Sequence, residues 1–251
     1  LRDMGIEVRF AKSDSVADLE ALIDNRTKAI FLENLGNPAF NIPDYEPIVE
    51  MARRKGVCVM VDNTFGMGGY LFRPFEWGAN VSIHSATKWI CGHGTALGGV
   101  VVDGGNFDWT PEKYPLLAAP SESYHGLVYK EVFGNAAFAG RVRVDGLRNI
   151  GPAASPFNSF LMLQGLETLS LRAERCCANA LAIAEFLEGH PAVESVNYVG
   201  LKSNPYHELA CKYLRNGFGG VLTFRVKGGF DAAAALVSRL ELILHVGSVG
   251  D

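Results

Sequence analysis

Four short runs in the first 105 residues are apolar almost without interruption: KAIFLEN (28–34), GVCVMVDN (56–63), ANVSIHSAT (79–87) and LGGVVVDGG (97–105), each bounded by turn-forming residues. A strand with one face in water alternates polar and apolar side chains; a strand covered on both faces does not. The runs therefore predict a sheet with cover on both sides. Between the first two lies DYEPIVEMARRKG, with Asp44 as the N-cap candidate, an apolar stripe at Ile48, Val49 and Ala52, basic residues in the last turn and Gly56 as the C-terminal cap. Strand and helix in alternation predict an α/β domain with a largely parallel sheet.

Residues 104–157 are rich in Gly, Pro, Asn and aromatic side chains without a clear period, and predict long loops with short elements. From Asn158 to His190 the chain has helical composition apart from Gly165, and His190-Pro191 stops it. VESVNYVG, GGVLTFRVKGG and LELILHVGSV read as strands around the helix FDAAAALVSRL, a smaller α+β unit; near the start, GIEVRFA is strand-like. The pattern divides the chain into residues 1–170, part of a major domain, and residues 171–251, part of a C-terminal one. Leu1 stands where an initiator methionine would, and VGSVGD closes the chain without a helix or polar tail. A piece of a longer protein, truncated at both ends, is the expectation.

Composition narrows the partners. With 23 Lys and Arg against 27 Asp and Glu, a formal charge of −4 and no basic stripe, the chain is expected to bind neither nucleic acid nor an anionic membrane, which leaves small molecules or protein. Five cysteines form no C-x-x-C pair and suit a reducing, cytoplasmic setting. No apolar run approaches the ~20 residues of a membrane-spanning helix, and no signal-peptide pattern opens the chain.

Ligands of open α/β sheets sit at the carboxyl ends of the strands. Three such ends carry polar groups here: Asn37 beyond the first run, Asp62 at the end of the second, and Ser85, Thr87 and Lys88 at the end of the third. The set has the chemistry of a pyridoxal phosphate site. A desolvated lysine holds an aldehyde and later serves as a base. A carboxylate keeps the pyridine nitrogen protonated, which makes the ring an electron sink. Small hydroxyls, followed by glycines, hold a phosphate, and an amide such as Asn37 hydrogen-bonds the phenolic oxygen. If SIHSAT is extended throughout, Ser85 and Thr87 share a face. Each residue also has a plainer reading: Lys88 as a solvated surface lysine, Asp62 with Asn63 as a turn cap, Ser85 and Thr87 as ordinary strand-end residues. Cys91, His93 and His84 are metal-ligand types without paired spacing, and no G-x-S-x-G, P-loop or G-x-G-x-x-G motif occurs.

At VDNTFG (61–66), SATKW (85–89) and SPFNSFLMLQGLETLSLR (155–172) the chain resembles the Cys/Met metabolism family of pyridoxal phosphate enzymes, of the aspartate-aminotransferase-like fold type I, and the likeness runs over essentially its whole length. VVDGGNFDWTPEKYP, SYHGLVYKEVFG, GLKSNPYHELACKYL and KGGFDAA are similar to the O-acetylhomoserine sulfhydrylase branch. The resemblance implies that Lys88 forms the Schiff base and acts as catalytic base, that Asp62 pairs with the pyridine nitrogen, that Ser85 and Thr87 contact the phosphate, that Asn37 contacts the ring, and that Ser248 lies near the substrate carboxylate. The implied reaction is γ-replacement: O-acetyl-L-homoserine exchanges acetate for sulfide or a thiol, in a cytoplasmic homodimer or homotetramer. Methionine γ-lyase, cystathionine γ-synthase, O-succinylhomoserine sulfhydrylase and an inactive fragment are the alternatives. The chain departs from the family by omission. By the resemblance, a glycine-containing phosphate cradle, a ring-stacking tyrosine and Tyr and Arg residues reaching the neighbouring subunit are expected on the amino-terminal side, and a carboxylate-binding arginine on the carboxyl-terminal side, and none of these is among residues 1–251.

Overall fold

The computed structural model describes residues 1–250. Four strands, β1 (Ala29–Glu33), β2 (Cys58–Asp62), β3 (Val81–Ser85) and β4 (Gly99–Asp103), form one sheet in that order. The first three are parallel, with Glu33 opposite Asp62 and Asp62 opposite Ile83, and β4 returns antiparallel to β3. A second sheet pairs β5 (Val193–Asn197) antiparallel with β6 (Thr223–Val226). The helices are α1 (Val16–Glu20), α2 (Tyr45–Arg54), α3 (Pro115–Ala118), α4 (Tyr129–Phe133), α5 (Ala137–Arg141), α6 (Pro156–Glu167), α7 (Leu169–Glu188), α8 (His207–Tyr213) and α9 (Gly229–Val237).

One face of the sheet carries Ile30, Leu32, Val59 and Val61 and packs into a core with Ile48, Val49, Met51 and Ala52 of α2 and Ala173 and Cys177 of α7. The other carries Cys58 and Val81 and is covered by Trp109, Tyr114, Leu117, Tyr129 and Ala137. The segment predicted as long loops with short elements is that: loops and short helices packed as a layer on the sheet, with a π-helical stretch at Val142–Ile150. The Tyr114 hydroxyl donates to Lys28 O (2.8 Å) and accepts from Cys58 N–H (3.1 Å), tying that layer to the amino ends of β1 and β2.

Cover on both faces, expected of all four strands, holds for the inner two. Phe31 of β1 is 57% exposed because one face of that outer strand is uncovered among the described residues, and on β4 Val100, Val101 and Val102 are all exposed, so neither face of that strand is fully covered. Two predicted strands do not form. GIEVRFA and the segment after Leu240 have no strand partner among the described residues, and an extended chain without a neighbour has no ladder to complete. The long predicted helix is two: at Thr168 (φ −107°, ψ 3°) α6 stops and α7 begins.

Helix α2 starts and ends as expected, with one change. Gly56, at φ +60°, donates to Arg53 O while Val57 donates to Ala52 O, a Schellman ending. Asp44 does not cap with its side chain; its Oδ1 instead accepts from Lys212 Nζ (3.3 Å) and from the Tyr213 hydroxyl, fastening α8 to the start of α2.

Candidate active site

Parallel pairing brings the carboxyl ends of β1, β2 and β3 to one edge. Asp62 faces Ile83 across the ladder, and side chains two apart on a strand share a face, so Asp62 and Ser85 lie on the same side of the sheet, one step apart along neighbouring strands. His84 takes the opposite side, buried, with Nε2 3.0 Å from Ser82 Oγ. Burial pushes its pKa down, and the charge of Asp62 opposes that shift.

A residue that pattern alone does not reveal joins the two strand ends. Thr64 donates its backbone N–H to Asp62 Oδ1 (2.9 Å), and its hydroxyl accepts the backbone N–H of Ser85 (2.8 Å). The first bond is the Asx turn that the plainer reading of Asp62 anticipates. It uses one carboxylate oxygen.

Strand β3 stops at Ser85, so Thr87 is not in an extended run with it, contrary to the alternation expected. The chain curls: Lys88 N–H donates to Ser85 O (3.2 Å), Cys91 N–H to Ala86 O (2.8 Å) and Gly92 N–H to Lys88 O (2.7 Å). Completely buried Ala86, with Ile90 and Leu169, anchors this turn. The Thr87 hydroxyl faces Gly98, accepting from its N–H (3.1 Å) and donating to its carbonyl at a longer 3.3 Å.

Half-buried Lys88 donates from Nζ to Ser248 Oγ at 3.1 Å, across 160 residues of sequence. Ser248 is held there by its neighbours. Val249 packs against the main core, and Gly250 (φ +83°) lies so close to the Trp89 ring that a Cβ would collide with it. Among the described residues neither Lys88 nor Asp62 enters an ion pair. An amine facing only a hydroxyl, a carboxylate with one oxygen uncommitted, and two hydroxyls beside them suit an aldehyde, a protonated ring nitrogen and a phosphate on one ligand.

Asn37 is exposed just beyond β1, and its backbone N–H donates to Glu33 Oε2 (2.9 Å). With Asp14, Glu33 and Asn41 it lines an open cavity of about 310 Å3. The structure brings together Asp62, Ser85, Lys88 and Ser248 through hydrogen bonds or register. Asn37 reaches the same edge and is tied to it through Glu33, the residue paired with Asp62.

Comparison with known proteins matches residues 1–251 to the family described as Cys/Met metabolism PLP-dependent enzyme. The chain is 51% identical over 260 residues to the homocysteine/cysteine synthase of Kluyveromyces lactis, covering 99% of this chain and 59% of that protein. It is 51% identical over 252 residues to O-acetyl-L-homoserine sulfhydrylase 1 of Thermus thermophilus, covering 100% of this chain and 60% of the relative. Among solved structures it superposes with a TM-score of 0.95, at 37% identity, on a Campylobacter jejuni protein described as an O-acetylhomoserine (thiol)-lyase and carrying N'-pyridoxyl-lysine-5'-monophosphate; the match covers 100% of this chain and 62% of that one. The chain thus spans about three fifths of the length of these relatives.

Proposed function

Since the chain belongs to the Cys/Met metabolism family of pyridoxal phosphate enzymes, we propose that the protein catalyses γ-replacement on O-acetyl-L-homoserine, exchanging acetate for sulfide or a thiol to give homocysteine or methionine. The observation that carries this reading is the Lys88 amine, half-buried, without an ion pair among the described residues and held by Ser248 at 3.1 Å, on the sheet edge that Asp62 shares. The names of the relatives, homocysteine/cysteine synthase and O-acetyl-L-homoserine sulfhydrylase, support the substrate and the replacement.

When bound, pyridoxal phosphate supplies an aldehyde that captures amines and a ring that delocalises the charge of a carbanion. The residues do the rest. Lys88 Nζ would hold the cofactor and, when free, would be the base that holds the proton taken from Cα. Asp62 offers its uncommitted oxygen to the pyridine N–H, while Thr64 keeps the carboxylate oriented. Ser85 and Thr87 bind the phosphate. Thr87 does so by turning its hydroxyl proton away from the weak 3.3 Å bond to Gly98 O while still accepting from Gly98 N–H. The Asn37 amide addresses the phenolic oxygen, and Ser248 orients Lys88 Nζ beside the substrate carboxylate.

We also assign residues 1–170 to the cofactor-binding domain and 171–251 to the C-terminal domain, a division supported by the two separate sheets. The protein is assigned to the cytoplasm, as a homodimer or homotetramer; its free cysteines suit a reducing compartment. No helix among the described residues is long and apolar enough to cross a membrane.

The test uses the protein as its gene encodes it. Homocysteine formed from O-acetyl-L-homoserine and sulfide, lost in Lys88→Ala together with the borohydride-trapped pyridoxyl adduct on the peptide containing residue 88, is the expected result. Turnover of methionine or cystathionine alone would replace the sulfhydrylase reading with that of a γ-lyase or a cystathionine synthase. Cofactor retained by Lys88→Ala at another lysine would remove Lys88 from the site.

A further inference from the structure

Besides the packing of Leu169, the turn that carries Lys88 is hydrogen-bonded from outside the sheet by one guanidinium. Arg172, in the first turn of α7, donates from both terminal nitrogens to the carbonyl of Trp89, at 3.0 Å each. One of those nitrogens also donates to Gly165 O at 2.7 Å, and Nε donates to Thr168 Oγ1 at 3.1 Å. Trp89 O belongs to the residue immediately after Lys88, and Gly165 and Thr168 lie at the break between α6 and α7. Arg172 therefore clamps the lysine's turn to the junction of two helices.

Two glycines make room for the clamp. At Gly165 a Cβ would lie closer than 3 Å to the carbonyls of Ile90 and Cys91, so α6 rests directly on the backbone of the turn. At Gly92 (φ +67°) a Cβ would occupy the position of the guanidinium itself. Half-buried Arg172 enters no ion pair among the described residues. Burial lowers its pKa, and its donors are spent on two backbone carbonyls and one hydroxyl. A planar fork suits this arrangement, because its donors are fixed relative to one another and hold several acceptors in one geometry. An ammonium at the same place reaches fewer of them.

We infer that Arg172 is a positioning residue for Lys88: it fixes the Trp89 peptide and thereby aims the Lys88 amine at the carbonyl carbon of the incoming aldehyde. This rests on the reading of Lys88 as the cofactor-bearing amine. Without the clamp the turn keeps its internal bonds from Cys91 to Ala86 and from Gly92 to Lys88 and its packing on Leu169, but loses the hydrogen bonds that hold the Trp89 peptide to the helices. The amine then samples orientations unproductive for attack.

The experiment follows attachment of added pyridoxal 5'-phosphate to the apo form of the gene-encoded protein, trapped with borohydride at intervals and quantified on the peptide containing residue 88. Thermal unfolding of each variant is measured alongside. Arg172→Ala is expected to retain its far-ultraviolet circular dichroism and attach about tenfold more slowly, a barrier change of about 1.4 kcal/mol. Arg172→Lys is expected to be intermediate, and millimolar guanidinium to restore part of the rate in Arg172→Ala. A purely structural brace would instead lower the unfolding temperature and leave the attachment rate of the folded fraction unchanged, a result that overturns the inference and leaves the Lys88 reading intact. If Arg172→Ala does not fold, Arg172→Lys decides: attachment at the unmodified rate overturns the inference. Failure of the unmodified protein to attach cofactor at residue 88 overturns both.

Discussion

At the scale of single residues, the site depends on how a few short side chains divide their hydrogen bonds. Thr64 serves two strand ends at once, giving its N–H to Asp62 and its hydroxyl to the backbone of Ser85. Lys88 and Ser248 face each other with no carboxylate paired to the amine among the described residues, which leaves the amine's lone pair, once deprotonated, available to an electrophile. His84, behind this edge, has a pH consequence. Burial holds its pKa below the ordinary histidine value, so between the two values the unfolded chain binds more protons than the folded one, and stability rises with pH. Its contribution is complete above about pH 6.5 and is lost as pH falls from there through the folded value. The unfolding temperature is expected to fall on acidification below that point, and less steeply in His84→Gln. Equal slopes in the two proteins would assign the acid sensitivity to other groups.

At the scale of elements, α6 shows packing overriding propensity. Gly165 sits near the end of a helix, where alanine is ordinarily better by about 1 kcal/mol. Here a Cβ would strike the carbonyls of Ile90 and Cys91, and forcing extra volume into a packed contact costs about 1–3 kcal/mol. Gly165→Ala is therefore expected to destabilise, by a net amount of up to about 2 kcal/mol, or a few degrees of unfolding temperature in a chain of this size. Calorimetry showing a stabilised variant would mean that α6 moves off the turn freely. The same contact accounts for part of what was legible in the sequence. Gly165 stood out as a break in helical composition, whereas its reason, a backbone 74 residues earlier pressed against it, follows from no local pattern. Helix α2 was legible because its stripe, its ends and its caps are short-range features. Asp44 departed from its predicted role because Lys212 and Tyr213 compete for the carboxylate.

At the scale of the whole molecule, much apolar surface lies open. Phe157, Phe160, Leu163 and Leu166 along α6 are exposed, as are Phe31 on β1, Val100, Val101 and Val102 on β4, and Leu242, Ile243 and Leu244 near the end. Exposed apolar surface on this scale drives association. A polypeptide of residues 1–251 alone is expected to self-associate, with light-scattering mass rising over micromolar concentrations and falling back when Phe157 and Phe160 are changed to serine. A constant monomer mass would show that these side chains do not act as a common surface.

What the amino-acid sequence determined by itself were the features carried by neighbouring residues: four strand-forming runs, the α2 helix with Gly56 as its C-terminal cap, and the polar residues Asp62, Ser85, Thr87 and Lys88 at or just beyond strand ends. Periodicity, apolarity and turn chemistry act over a few residues, so they can be read without a fold. The tertiary structure alone decided which strand pairs with which, that GIEVRFA and LELILHVGSV stay unpaired among the described residues, that β3 ends before Thr87, and that Thr64, Ser248 and Arg172 converge on the lysine's turn. Those outcomes depend on contacts between residues as much as 160 positions apart. Such contacts form only once packing of the two cores has offset the entropy of closing the intervening chain.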